Sequence, residues 1–311
     1  MIKYALERIL QSLIVLLGVT LITFILLNVV PGDPVVIMLD KRADQQTIDR
    51  VRHELGLDRP LTTQYVDFLA KAVRGDLGKS YFKNRPVTEL LTKAFSSTAK
   101  LGLLTLGVSL ILSISMGILA AVFRGTLIDK VIMFFAMLFM SLPGLWIAMV
   151  LQLILGVRLG WLPISGNSTI QHYVLPVLVL AIGYAGGASR LIRNNIIDSL
   201  GQDYVNTARS KGVPEFFVVM QHVLKNAAIP IVTLIGIQLR SVLGGAMIIE
   251  TIFSMHGLGK LAIDAINSRD MPLIQGNVVY TAVVFVIINL AVDLVYGLLD
   301  PRVRLAGGER T

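Results

Sequence analysis

The chain of 311 residues contains no cysteine, which removes disulfides and thiolate chemistry from its repertoire. Charge is also scarce. Asp, Glu, Lys and Arg make up 15% of the residues, where soluble domains average about 25%. Four histidines stand at positions 53, 172, 222 and 256. Scattered in this way, with no thiolate beside them, they offer no ligand set for zinc. No low-complexity run and no repeat of roughly 20–50 residues is visible. The catalytic motifs also fail. Gly78-Lys79-Ser80 ends like a phosphate-binding loop, but Val73 stands where the pattern requires its first glycine. His53-Glu54 opens like a zinc-protease helix, and the second histidine is missing. No Gly-x-Ser-x-Gly elbow occurs, and the apolar stretches hold no pair of acids of the kind an intramembrane aspartyl protease uses. The chain is therefore read as non-enzymatic, without cofactor or metal.

What it has in abundance is apolar length: 54% of the residues are hydrophobic. Six stretches approach the roughly 20 residues that cross a bilayer. Ile9–Val30, Leu101–Phe123, Val131–Val157 and Met271–Val292 carry no charge, Tyr173–Ser189 is shorter and rich in glycine, and Ala227–Ile249 is apolar apart from Arg240. The expected fold is an all-α membrane protein of six transmembrane helices. The first stretch is expected to be retained, because Val29-Val30-Pro31-Gly32-Asp33 offers no small-residue cleavage site. The net charge of +8, from 28 basic and 20 acidic residues, fits an excess of Lys and Arg in cytoplasmic loops rather than nucleic-acid binding. With the N-terminus inside, Lys3, Arg8, Arg124, Lys130, Arg190, Arg193, Arg209, Lys211, Lys225, Arg302, Arg304 and Arg310 all fall on the cytoplasmic side. The two shorter outer loops hold only Arg158, Lys260 and Arg269. Both termini are expected in the cytoplasm.

Residues 1–30 form the N-terminal end and first span, 31–98 an extracytoplasmic segment, and 99–311 the remaining core. Within 31–98, Ile48, Val51 and Leu55 recur at helical spacing, as do Tyr65, Phe68, Leu69 and Ala72. Two short amphipathic helices are predicted, joined at Gly56-Leu57-Asp58-Arg59-Pro60. They either receive a partner protein or shield the span ends. Gly102, Gly107 and Gly117, and the Gly183/Gly187 pair, suit close helix packing. Ser141-Leu142-Pro143-Gly144 lies near the middle of the third stretch, where proline removes a backbone hydrogen bond and kinks the helix. That kink serves gating or mere packing; Ser141 and Pro143 are candidate pathway-lining residues. Arg240 is another, because a mid-span charge costs roughly 2.5–3.5 kcal/mol and faces a cavity or a partner. Glu250, ten residues on, is about 15 Å away along the helix, too far to pair with Arg240, and reads as interfacial.

Between the fourth and fifth stretches runs a polar, basic segment, Asp203-Tyr-Val-Asn-Thr-Ala-Arg-Ser-Lys-Gly-Val-Pro-Glu215, continued by Gln221-His-Val-Leu-Lys-Asn-Ala-Ala-Ile-Pro230. It predicts two short helices broken at Gly212, with Pro214 in the first turn of the second. The segment, about 198–228, resembles the cytoplasmic coupling loop of ABC importer permeases, in the form used by the dipeptide, oligopeptide and nickel branch. Pro31-Gly32-Asp33-Pro34, Leu55–Leu61, Gly75–Ser80, Trp161-Leu162-Pro163, Glu250-Thr251-Ile252-Phe253 and Asp300-Pro301-Arg302-Val303-Arg304 are similar to further segments of that branch, in the same order. The sequence departs from the pattern at Asn206-Thr207-Ala208, which lacks the general motif's acidic residue, and at His256, where relatives place proline.

The resemblance implies a type I importer fold in a bacterial inner membrane. Two permease chains, a heterodimer in this branch, would form the pathway, with two ATPase subunits beneath and an extracytoplasmic substrate-binding protein above; membrane lipid surrounds them. Thr207, Ala208, Arg209, Lys211, Gly212, Phe216, Phe217 and His222 would form the ATPase-coupling loop. Phe216, Phe217 and Val218 would act as an apolar anchor, or else pack beneath the span ends. The implied cargo is a short peptide, with glutathione, nickel or another metal chelate as alternatives. An ion-coupled secondary transporter would need titratable groups within its spans and an internal repeat; only Arg240, Asp293 and Glu250 qualify, and no repeat is present.

Overall fold

A segment that leaves water must satisfy its backbone polar groups internally, and helix does this within one segment. The computed structural model describes residues 2–29, 35–36, 39, 44–54, 56–214, 217–218, 221 and 224–299, without the side chains of 2–7, 224–233, 240, 242–243, 245 and 294–299. Its helices are α1 (Ile2–Val29), α2 (Gln45–Glu54), α3 (Leu61–Val73), α4 (Val87–Val122), α5 (Leu127–Ser141), α6 (Gly144–Leu151), α7 (Gln171–Leu200), α8 (Asp203–Ser210), α9 (Leu224–Ile252), α10 (Leu258–Ser268) and α11 (Met271–Leu299). A π-helical stretch, Gln152–Arg158, continues α6. Among the described residues, extended pairing is limited to one bridge between Lys79 and Pro86.

Four helical segments are long and apolar enough to cross a membrane: Arg8–Val29, Val87–Val122, Gln171–Leu200 and Met271–Asp293. The pair Leu127–Ser141 and Gly144–Arg158 makes a fifth if taken as one broken span, but its halves are bent by 102°. The stretch Val131–Val157 is therefore not the single kinked helix that apolarity predicts. Proline disfavours helical backbone in the residue before it, and Leu142 is extended at φ −80°, ψ 135°. Pro143 follows at φ −60°, ψ 128°, so the chain leaves helical geometry for two residues and re-enters on a new axis. The stretch Ala227–Ile249 lies within the 29 residues of α9.

The chain divides into two compact units, one of residues 1–98 and 256–290, the other of 99–255 and 291–311. In the first, α4 starts at Val87, well before the apolar stretch, because Val87, Leu91 and Ala94 pack with Leu77, Leu258, Leu261 and Leu273. Gly276 permits that approach: a Cβ there would collide with Val87. The predicted amphipathic helices are α2 and α3. α3 rests on α1 through Phe24 and Tyr65, whose rings lie 5.3 Å apart, and through the Tyr65 hydroxyl, 3.0 Å from Thr20 Oγ1. Burial pushes the Tyr81 phenol up to about 12, helped by the Asp270 carboxylate. The exposed Asp58 carboxyl is held below its usual value mainly by its hydrogen bond to His53.

In the second unit one core joins Leu101, Ile147, Leu175, Ile249 and Phe253. A separate core gathers Ala121, Ile192, Ile196, Val205, Ala208, Val218 and Leu234. That second core explains why α7 runs past Ser189 to Leu200: Ile192 and Ile196 continue its buried face. The packing glycine of α7 is Gly186, where a Cβ would stand 2.5 Å from the Ala136 carbonyl oxygen of α5. Gly183 has open space around it. Glu250, expected to be interfacial, is only 1% exposed. The α9 helix carries it inward beside Ile249, and its carbonyl accepts the Met255 N–H at 2.8 Å.

Candidate coupling site

The polar segment after α7 turns at Gly201-Gln202 and forms α8, eight residues long. Its sequence alternates at helical spacing, so Val205 and Ala208 are buried while Thr207, Arg209 and Lys211 face outward. Ala208 thus anchors the helix to Ile192 and Ile196 rather than presenting itself to a partner. Thr207 Oγ1 donates back to the Asp203 carbonyl at 2.9 Å. The helix ends at Gly212, whose φ of +78° lies in the left-handed region. There the Gly212 N–H bonds the Arg209 carbonyl at 2.9 Å and the Val213 N–H bonds that of Ala208 at 3.3 Å. No atom lies within 4 Å of a Cβ added at Gly212, so the turn needs glycine for its backbone alone.

Beyond it, the Phe217 and Val218 N–H groups both reach the Pro214 carbonyl, at 2.9 and 3.1 Å, a turn consistent with proline opening a helix. Phe217 is 46% exposed, whereas Val218 is fully buried. The expected three-residue anchor is therefore split, because Val218 belongs to the chain's own core. Phe216 and His222, and the side chain of Arg240, lie outside the described residues. Ser141 and Pro143 are both exposed at the bend, remote in sequence from the loop, and Ser141 Oγ donates to the Met137 carbonyl at 2.9 Å.

The structure adds groups that sequence reading passed over. Asp129, 4% exposed, sits in the first turn of α5 and takes both arms of Arg193 from α7, Nε at 2.7 Å and Nη2 at 2.6 Å. The Gly125 N–H donates to the same carboxylate at 2.9 Å. A forked pair of this kind is directional as well as strong. It fixes the α5 start to α7 one turn before Ile196, which packs on α8. The signal was present in the sequence: an acid opening one apolar helix, and an arginine near the end of a later one. Asp270, 1% exposed, is the N-cap of α11 and accepts the Leu273 N–H at 3.3 Å. It also takes Ser80 Oγ at 2.5 Å and the amides of Tyr81 and Phe82 at 3.2 and 3.4 Å. An Asp just before a helix with proline in its first turn is an N-cap signature. Inside the second unit, Ser109 Oγ and Gln238 Oε1 meet at 2.8 Å, a buried polar contact between α4 and α9 that periodicity cannot reveal.

Residues 113–305 match the family described as the binding-protein-dependent transport system inner membrane component. Residues 1–102 match the N-terminal region of the same kind of transport-system membrane component. The chain belongs to this family. It is 38% identical over 304 residues to the glutathione transport system permease protein of Escherichia coli O6:H1, covering 98% of this chain and 99% of that one. The glutathione transport system permease protein of Salmonella choleraesuis is matched at the same identity and coverage. Among solved structures, the fold resembles the inward-facing MetNI methionine ABC transporter, with a TM-score of 0.59 at 16% identity over 68% of this chain and 96% of that one. An amino acid ABC transporter aligns with a TM-score of 0.52 at 18% identity over 69% and 94%. This binding-protein-dependent permease is a multi-pass inner-membrane protein and a non-catalytic subunit of an ABC importer, working with ATPase and substrate-binding partners.

Proposed function

We propose that this permease forms half of a transmembrane pathway for short peptides, paired with a second, non-identical permease chain. The observation that carries the cargo is similarity at 38% identity over 98% of the chain to permeases named for glutathione, itself a tripeptide. The pathway is opened and closed by an ATPase that grips the outward face of α8 and the Gly212 turn, where Thr207, Arg209, Lys211 and Phe217 are presented. The same reading assigns Phe216 and His222 to the ATPase contact, and Arg240, Ser141 and Pro143 to the route of the cargo.

The proposed topology has six spans: α1, α4, the bent α5–α6 pair, α7, α9 and α11, with both termini in the cytoplasm. Alternation then puts residues 31–86 and 253–270 outside. Leu77 shares a core with Leu258 and Leu261, as segments on one side must. It puts residues 123–126 and 201–223 inside, and Ala121 and Val205 likewise share a core. The test is uptake by the whole importer, isolated with its partners and reconstituted in liposomes, using labelled di- and tripeptides. ATP-dependent accumulation of a tripeptide supports the proposal. Uptake driven by a proton or sodium gradient without ATP would replace it with a secondary carrier.

A further inference from the structure

A cleft of about 770 Å³ opens within the unit of residues 1–98 and 256–290, inside the range of roughly 300–1,000 Å³ typical of small-molecule sites. One wall is the end of α1, through Phe24, Leu27 and Asn28; another is α3, through Phe68 and Lys71; Lys79 comes from the following loop. The α1 wall has a distinctive neighbour. Only 11% of the spanning window of α1 is buried, and Ile22, Ile25, Leu26 and Val29 are 49–72% exposed. The cleft therefore borders an apolar surface made to meet hydrocarbon.

Its ionic groups are mostly spent. Arg59 Nη1 donates to Asp67 at 3.3 Å and Arg52 Nη1 to Asp49 at 2.9 Å. Asp76 Oδ1 accepts the Gly78 N–H at 2.9 Å. Lys71, Lys79 and Glu54 form no ion pair among the described residues. What remains is Lys71 and Lys79 set against Glu54 and Asp76, beside an apolar wall. A peptide zwitterion would match the charges but not that wall. A free anion would leave the wall unused. A phosphodiester headgroup attached to acyl chains uses both the lysines and the wall.

We propose that the cleft binds the phosphodiester headgroup of a membrane phospholipid, with Lys71 and Lys79 meeting the phosphate and the acyl chains lying along the outward face of α1. Long basic side chains that extend to the membrane interface are suited to this role. The site would tie the position of α3 to the surrounding bilayer.

The test uses the full importer in mild detergent, titrated with phosphatidylglycerol and read by native mass spectrometry of retained lipid. At about the usual contribution of one basic residue to an anionic headgroup, K71Q/K79Q is expected to bind roughly 30-fold more weakly, and each single substitution about fivefold. Both lysines are exposed, so the single variants keep the test open if the double variant fails to assemble. K71R/K79R should bind like the parent, and K93Q/K100Q, on exposed positions outside the cleft, should be unaffected. Unchanged binding by K71Q/K79Q and by both single variants would overturn the proposal, as would equal loss in K93Q/K100Q. Displacement of the lipid by millimolar inorganic phosphate would make this a free-anion site. Displacement by an unlabelled tripeptide would make it a cargo vestibule. Either result would overturn the lipid assignment and leave the peptide reading of the importer standing on its own uptake test.

Discussion

Gly212 is constrained by its backbone and by nothing around it, which makes it a clean probe of coupling. A side chain there has room, but most residues lose about 1–2 kcal/mol in left-handed geometry, and asparagine less. Gly212→Val is expected to lower ATP-driven uptake at equal amounts of assembled permease, while Gly212→Asn retains most of it. Vesicle uptake normalised to permease content reads the difference, and equal uptake by the valine variant would remove the turn from the mechanism. The Asp129–Arg193 pair is probed differently. Lysine keeps the charge at 193 but replaces a fork with a single donor, and alanine leaves a mostly buried carboxylate without its main partner. Arg193 is 20% exposed at its side chain, so water recovers part of the loss. Arg193→Ala should cost about 2 kcal/mol, visible as a lower melting temperature in detergent. Coupling to Asp129→Asn in a double-mutant cycle assigns that loss to the pair; strict additivity would assign it elsewhere.

Among the elements, the bent α5–α6 pair departs most from the sequence reading. Pro143 signals a kink, yet a 102° turn needs Leu142 extended as well, and a single proline in a helix does not dictate that. Pro143→Ala removes the bias on Leu142 and should allow straighter conformers. Spin labels on cysteines placed at Val131 and Ile154 would then report a longer distance than in the parent; an unchanged distance would show that packing alone holds the bend. Other elements show where sequence suffices. Three of the four charge-free stretches became long apolar helices, and the spacing of Ile48 and Tyr65 gave α2 and α3 directly, because periodicity records which face a helix buries. It does not record which neighbour meets that face. Gly186 therefore passed unnoticed beside the more conspicuous Gly183, α4 began earlier than apolarity suggests, and Glu250 turned out to be buried. The α8 helix and its turn were legible down to Gly212, since left-handed backbone is written in residue type. The partition of Val218 inward and Phe217 outward was not, because both are simply apolar.

For the molecule as a whole, the absence of cysteine becomes an experimental asset. Any introduced thiol is the only one on the chain. Lys71→Cys and Lys211→Cys should react with a membrane-impermeant maleimide from opposite faces of intact cells and inverted vesicles. Labelling of both from one face would refute the six-span alternation. Asp270 has a further consequence at this scale. Ser80, Tyr81 and Phe82 are held by a carboxylate about 190 residues downstream. At the usual pace of translation, roughly 5–20 residues per second, that partner is made about 10–40 s after the loop it secures. The newborn chain therefore carries the 78–86 loop without its anchor through most of its own synthesis. The closing of that hydrogen-bond cluster marks the arrival of the final helix, so protease resistance of this loop serves as a clock for completed assembly of the chain.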